Sequence, residues 1–115
     1  MKQIAQIVKF SLRIFGNKNM TRKKTVIDKF KAAKPILFKN FPIKELAFFG
    51  STSRSEDNES SDIDIMVEFY QPVGMEFIHL CYELERILNL KVDLVSRKGI
   101  KERYFDQIKN DLIYV

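Results

Sequence analysis

The sequence has one cysteine, one histidine and no tryptophan in 115 residues. With Cys81 alone, no disulfide bond can form within the chain, and with His79 as the only histidine no zinc site built from cysteines and histidines is available. Both residues fall inside an apolar helical pattern, so we expect them to pack against the core. A chain with so little cysteine suits a reducing compartment, and we expect it in the cytoplasm.

Long apolar runs are also missing. No segment approaches the roughly 20 apolar residues that a membrane-spanning helix needs. The N-terminal stretch is apolar, but Lys9 and Arg13 interrupt it and no small-residue cleavage site follows, which argues against a signal peptide. We therefore expect no membrane partner.

Acidic residues are absent from the N-terminal region. The first 24 residues hold seven basic side chains and no acidic one, whereas the other 91 residues hold 13 basic and 15 acidic side chains, a net charge of −2. The formal charge of +5 is therefore a property of the N-terminal region. A nucleic-acid partner stays open but is not favoured, because a solvated basic face is the commoner explanation of such a charge run.

The length suits one domain with a single core. We assign residues 1–22 to a basic N-terminal helix or extension and residues 23–115 to the domain itself. The extension could also be a docking arm or a helix that lies on a membrane surface. Symmetric self-association stays open, because nothing in the sequence argues for or against it.

Hydrophobic periodicity predicts an alternation of helices and strands. The expected helices begin near Thr21 or Thr25, at Met75 and at Ile100, and they end near Lys39, Asn89 and Lys109. The expected strands cover residues 45–49, 62–69 and 91–95, and an apolar tail closes the chain at residues 112–115. This order indicates an α/β (α+β) fold with a small mixed β-sheet flanked by helices.

Two alternating aspartates interrupt the second expected strand. Asp62 and Asp64 share one face because side chains two residues apart in a strand point the same way, while Ile63 and Ile65 take the buried face. Neighbouring carboxylates repel unless a cation neutralises them, and a hard divalent metal such as Mg²⁺ accepts oxygen ligands. Asp93, in the third expected strand, is the candidate for a third ligand.

A glycine–serine turn follows the first expected strand. Gly50 permits close approach of the backbone, so the amides of Gly50 and Ser51 can face a phosphate, and Arg54 can reach phosphate oxygens or clamp the loop. Phosphoryl-type transfer requires positioning and cancellation of developing charge more than covalent help. Each of these features alone is a common surface turn or surface charge, and it is their joint spacing that indicates chemistry.

The run GSTSRSEDNESSDIDIMVEF, followed by VDLVS, resembles the minimal nucleotidyltransferase family of the DNA polymerase beta-like nucleotidyltransferase superfamily. The similarity extends from about Thr25 to Val115. The residues that match the family signature are Gly50, Ser51, Arg54, Ser61, Asp62, Asp64 and Asp93. The family usually has alanine and glycine where this chain has Ser53 and Ser55. Ser53 is small and expected to be harmless, whereas Ser55 lacks glycine's freedom at positive φ and predicts a differently shaped loop.

The resemblance implies transfer of AMP from ATP to an acceptor hydroxyl. In that reading Asp62, Asp64 and Asp93 bind two Mg²⁺ ions, Asp93 also helps to deprotonate the acceptor, and Gly50 and Ser51 cradle the phosphates. Small members of the family are commonly antitoxins that modify a tyrosine of a HEPN-domain ribonuclease toxin. Two alternatives stay open: a non-catalytic antitoxin that acts by binding its toxin, and a nucleotidyltransferase that acts on RNA or a small molecule.

Overall fold

The computed structural model describes residues 22–53 and 62–115, so residues 1–21 of the N-terminal extension, Arg54, Ser55 and Ser61 lie outside the described residues. The helices along the described chain are α1 (Arg22–Asn40), α2 (Gly50–Ser53), α3 (Glu76–Leu88) and α4 (Glu102–Ile108). The strands are β1 (Ile43–Phe49), β2 (Ile63–Phe69), β3 (Val92–Ser96) and β4 (Ile113–Tyr114). Two short 3₁₀ turns cover Arg97–Gly99 and Lys109–Asp111.

The strands form one mixed sheet in the order β3-β2-β1-β4. Strand β1 is antiparallel to β2 and to β4, whereas β2 and β3 are parallel. The expected mixed sheet flanked by helices is therefore confirmed. Strand β4 lies in the segment that the sequence presents only as an apolar tail, because a two-residue strand is too short to show a period and forms by pairing with Ala47 and Phe48.

Helices α1 and α3 cover one face of the sheet. Val26, Phe30, Ala33 and Leu37 recur along α1 at helical spacing and are all buried, and the helix continues past Pro35 to Asn40. Helix α3 ends at Leu88, and the φ of 53° at the next residue, Asn89, lies in the left-handed region that often terminates helices. The predicted limits of α3 agree with the structure to within one residue.

The core has a large part and a small part on opposite faces of the sheet. On the helix-covered face, Phe30 stacks on Phe48 with ring centroids 6.1 Å apart, and Ile63 and Ile65 are fully buried. Burying one such side chain contributes about 1.5–3 kcal/mol. The second face carries a smaller cluster of Phe49, Met66, Ile100 and Ile108. This cluster lies beside the first residues of β2, where Asp62 is exposed and Asp64 half-buried.

The lone histidine and cysteine behave differently from each other. Cys81 is half-buried and packs against the main core, as expected, but His79 is exposed, so the expectation that it packs inside was wrong. The inward stripe of α3 runs through Leu80 and Leu84, and the helical rotation of the adjacent position turns His79 toward solvent. None of the helices in the described part of the chain is long and apolar enough to cross a bilayer.

Candidate active site

Asp64 lies in register with residues on both neighbouring strands. Its partner on β1 is Phe49, and its partner on the parallel strand β3 is Asp93. Register partners on adjacent strands point to the same face, and adjacent strands lie about 4.8 Å apart. The structure thus brings Asp64 and Asp93 side by side, the adjacency that the sequence could only suggest. Asp64 is half-buried and Asp93 is exposed.

Asp62 precedes β2 by one residue and is exposed. Ile63, between the two aspartates, is fully buried on the face that α1 and α3 cover, so Asp62 and Asp64 lie on the other side. The three carboxylates lie at one end of the adjacent strands β2 and β3, which we call the carboxylate edge, but they do not form a tight cluster. Within residues 22–53 and 62–115, no three acidic, histidine or cysteine side chains are close enough to form a finished metal site.

Gly50 packs directly against the Asp64 carboxylate. Its φ of +75° lies in the left-handed region, and a Cβ added there would overlap Asp64 Oδ2 and lie 3.3 Å from Asp64 Cγ. Only glycine combines this backbone conformation with this close approach. The turn at the end of β1 therefore lies against a carboxylate that is itself paired with a second carboxylate. Oxygen ligands beside a glycine turn fit a hard divalent cation together with a phosphate group.

Ser53 ties the turn to the C-terminal part of the chain. Its side chain is buried, and its hydroxyl donates a hydrogen bond to the backbone carbonyl oxygen of Asp111. From the sequence we expect Ser53 to be a harmless small residue. Its partner lies 58 residues away, and no local pattern could reveal it.

The surroundings of the Cys81 thiol include one residue of the candidate site, Asp93. Burial raises the pKa of its thiol, and the negative charges of Glu85 and Asp93 raise that pKa further. A thiol with a raised pKa is mostly protonated at neutral pH and is a poor nucleophile.

Residues 30–115 match a family model described as a nucleotidyltransferase domain. This chain belongs to the nucleotidyltransferase family. It is therefore an enzyme of the transferase class. The matched residues include Asp62, Asp64 and Asp93.

Relatives in other organisms extend this assignment. The nucleotidyltransferase is 48% identical over 86 residues to a Methanocaldococcus jannaschii protein assigned provisionally as a protein adenylyltransferase, covering 71% of this chain and 86% of that protein. It is 38% identical over 85 residues to the protein adenylyltransferase MntA of Thermococcus cleftensis, covering 73% and 86% of the two chains.

Solved structures share the fold. A provisionally assigned minimal nucleotidyltransferase aligns with a TM-score of 0.69 and 26% identity, over 84% of this chain and 98% of that one. A toxin-antitoxin structure with AMP-PNP aligns with a TM-score of 0.63 and 25% identity, over 75% of this chain and 70% of that one. A third match, the tri-AMPylated HEPN toxin of Shewanella oneidensis in complex with an MNT antitoxin, has a TM-score of 0.59, covers 77% and 70% of the chains, and at 22% identity shows a shared fold alone.

All the site residues of this nucleotidyltransferase stay predictions as to their roles. Ser51 lies in the backbone of α2, directly after Gly50. Arg54 and Ser61, which the family signature assigns to the loop and to the approach to Asp62, lie outside the described residues.

Proposed function

We propose that this nucleotidyltransferase transfers AMP from ATP to a tyrosine hydroxyl of a cognate HEPN-domain ribonuclease and so acts as an antitoxin. The observation that carries the proposal is the pairing of Asp64 with Asp93, with Gly50 packed on Asp64. Support comes from the relatives, of which one is named a protein adenylyltransferase and another is provisionally assigned as one, and from the related toxin-antitoxin structure with AMP-PNP, an ATP analogue.

We assign each site residue either to metal binding or to phosphate binding. Asp62, Asp64 and Asp93 would bind two Mg²⁺ ions. Magnesium, when bound, offsets the negative charge that develops on the phosphate oxygens. The backbone of Gly50 and Ser51 would hold the β- and γ-phosphates, because amide groups at a glycine turn can approach phosphate oxygens closely. Arg54 and Ser61 are proposed to hold the phosphates and the loop.

The proposed reaction forms one bond and breaks one. The acceptor oxygen bonds to the α-phosphorus of ATP, and the bond from that phosphorus to the bridging oxygen breaks, so pyrophosphate leaves with the electron pair. The hydroxyl proton passes to the carboxylate of Asp93, which is exposed and can release it to water. The chain contributes mainly by fixing the attacking oxygen in line with the leaving group, the type of contribution that positioning supplies.

The activity test follows the nucleotide label. The purified full chain is incubated with Mg²⁺, ATP labelled at the α-phosphate and a candidate cognate HEPN-domain ribonuclease, and we expect the label on the ribonuclease. Asp62→Asn combined with Asp64→Asn should remove the label, whereas Glu45→Gln, an exposed carboxylate toward the far end of β1, should retain it. Equal labelling by the double variant would contradict the assignment of the carboxylates.

A second readout does not depend on activity. Mn²⁺, a paramagnetic substitute for Mg²⁺, should broaden the backbone amide signals of Gly50, Asp64 and Asp93 in the NMR spectrum. The double variant should lose this broadening, and Glu45→Gln should keep it. Broadening that is spread evenly over the surface lysines and glutamates would argue against a specific metal site at this edge.

The alternatives give different results in the same experiments. An antitoxin that acts only by binding would inhibit the ribonuclease after Asp62 and Asp64 are neutralised and would leave no label. An enzyme for RNA would label the nucleic acid instead, and removal of residues 1–19 would weaken RNA binding in a salt-dependent way. We keep residues 23–115 as the proposed catalytic domain, since the family match begins at residue 30.

A further inference from the structure

A cavity of about 430 Å³ lies at the end of the sheet opposite the aspartates. Its lining along β2 begins at Val67, three residues after Asp64, a separation of about 10 Å along a strand. The apolar wall consists of Val67, Phe69, Pro72, Val73 and Phe77. The cavity is therefore separate from the carboxylate edge and is unused by the proposed chemistry.

The other wall of the cavity is basic. Arg97 and Lys98 line it, and residues 97–103 carry four basic side chains and one acidic side chain, a net charge of +3. Glu68, from β2, also lines the cavity, and its carboxylate lies 4.0 Å from Lys44 Nζ. The Arg97 guanidinium is held in place, because it lies 3.7 Å from the centre of the Phe105 ring and forms a 3.1 Å ion pair with Glu102. Lys98 is exposed. This wall attracts an anionic group at the mouth of an apolar cavity.

Exposed apolar side chains flank the segment that forms the apolar wall. Tyr70 is 66% exposed, Met75 is 56% exposed and Ile78 is 42% exposed, and these residues bracket Pro72, Val73 and Phe77 of the lining. Aliphatic groups such as those of Met75 and Ile78 gain nothing from contact with phosphates, whereas clustered apolar surface with a charged rim is typical of protein interfaces. The surface therefore favours a protein over a nucleic acid.

We propose that the cavity docks the protein acceptor: an apolar side chain of the acceptor enters between Val73 and Phe77, and an adjacent acidic side chain contacts Arg97 and Lys98. The identification of the occupant as the acceptor rests on the proposed function. Docking at the far end of the sheet would keep the acceptor near the carboxylate edge at a high effective concentration.

The first test uses peptides and no nucleotide. Two short blocked peptides share a central phenylalanine and leucine, and the flanking residues are glutamates in one and lysines in the other. At roughly millimolar concentration, the range of weak specific binding, the glutamate peptide should shift the amide signals of Val73, Phe77 and Lys98 in the ¹⁵N spectrum of the full chain. The lysine peptide should leave those signals in place.

Three results would overturn the docking site: no shift with either peptide, equal shifts with both, or stronger shifts of the same signals by a single-stranded oligonucleotide. Because no ATP is present, these results are independent of AMP transfer. A positive peptide result without any labelling of the ribonuclease would leave the docking surface intact and refute the proposed function.

The second test measures kinetics with the ribonuclease acceptor. Lys98→Glu should raise the KM for the acceptor about fivefold, the effect of reversing one charge at an interface rim, and leave the KM for ATP unchanged. Lys31→Glu, on the exposed side of α1, makes the same charge change away from the cavity and should leave both constants unchanged. An unchanged acceptor KM in Lys98→Glu, or an equal change in Lys31→Glu, would contradict the proposal.

Discussion

Replacing Gly50 with alanine tests the closest approach in the candidate site. The backbone φ of +75° costs a residue with a side chain about 1–2 kcal/mol relative to glycine. The new Cβ would also overlap Asp64 Oδ2, so the carboxylate or the turn must move. We expect a total loss of about 1–3 kcal/mol in the free energy of unfolding, equivalent to roughly 5–10 °C in Tm for a domain of this size.

The same change should reduce catalysis more than stability. A displacement of about 1 Å in a positioning group can cost about 100-fold in rate, and Asp64 is the carboxylate that contacts Gly50. Thermal denaturation followed by circular dichroism gives the first effect. The initial rate of AMP transfer, measured well below the Tm of the variant, gives the second.

Gly74 provides the matched control. A Cβ added at Gly74 would meet no atom within 4 Å, and Gly74 does not have a positive φ. Gly74→Ala should therefore leave transfer unchanged and should be neutral or stabilising by about 0.4–1 kcal/mol. If Gly50→Ala matched Gly74→Ala in both stability and transfer rate, the close approach of Gly50 to Asp64 would contribute neither to folding nor to catalysis, and our reasoning would fail.

Three further predictions concern buried polar groups. Ser53→Ala should lower the free energy of unfolding by about 1 kcal/mol in chemical denaturation, because the carbonyl of Asp111 loses its donor, while an unchanged value would show that water replaces the hydroxyl. Burial lowers the pKa of Lys29, whose Nζ donates a hydrogen bond to the Leu88 carbonyl at 3.1 Å. The folded state therefore binds fewer protons than the unfolded state as the pH approaches 10.5, so the free energy of unfolding relative to Lys29→Met should rise with pH in that range. A difference that falls with pH would refute this. Burial and two nearby carboxylates raise the pKa of Cys81, so iodoacetamide should alkylate it more slowly than a free cysteine at mildly alkaline pH, and equally fast alkylation would show that the thiol is accessible and unperturbed.

Residue spacing predicts part of the candidate site but not all of it. The alternation of Asp62, Ile63 and Asp64 follows from strand geometry, and the turn at Gly50 follows from the residue type, so the sequence was sufficient to predict both. The neighbour of Asp64 is different. Asp93 lies 29 positions later, and only the parallel register of β2 and β3 makes it the partner of Asp64.

The sequence by itself determined the types of the longer helices and strands, because apolar periodicity records which side of each is buried. It also determined the family, through a signature most of whose residues lie between Gly50 and Asp64. Only the tertiary structure decided the pairing of β4 with β1, the hydrogen bond from Ser53 to Asp111 and the register of Asp64 with Asp93. These contacts join residues far apart in sequence, and such pairings depend on how the whole chain packs rather than on any local pattern.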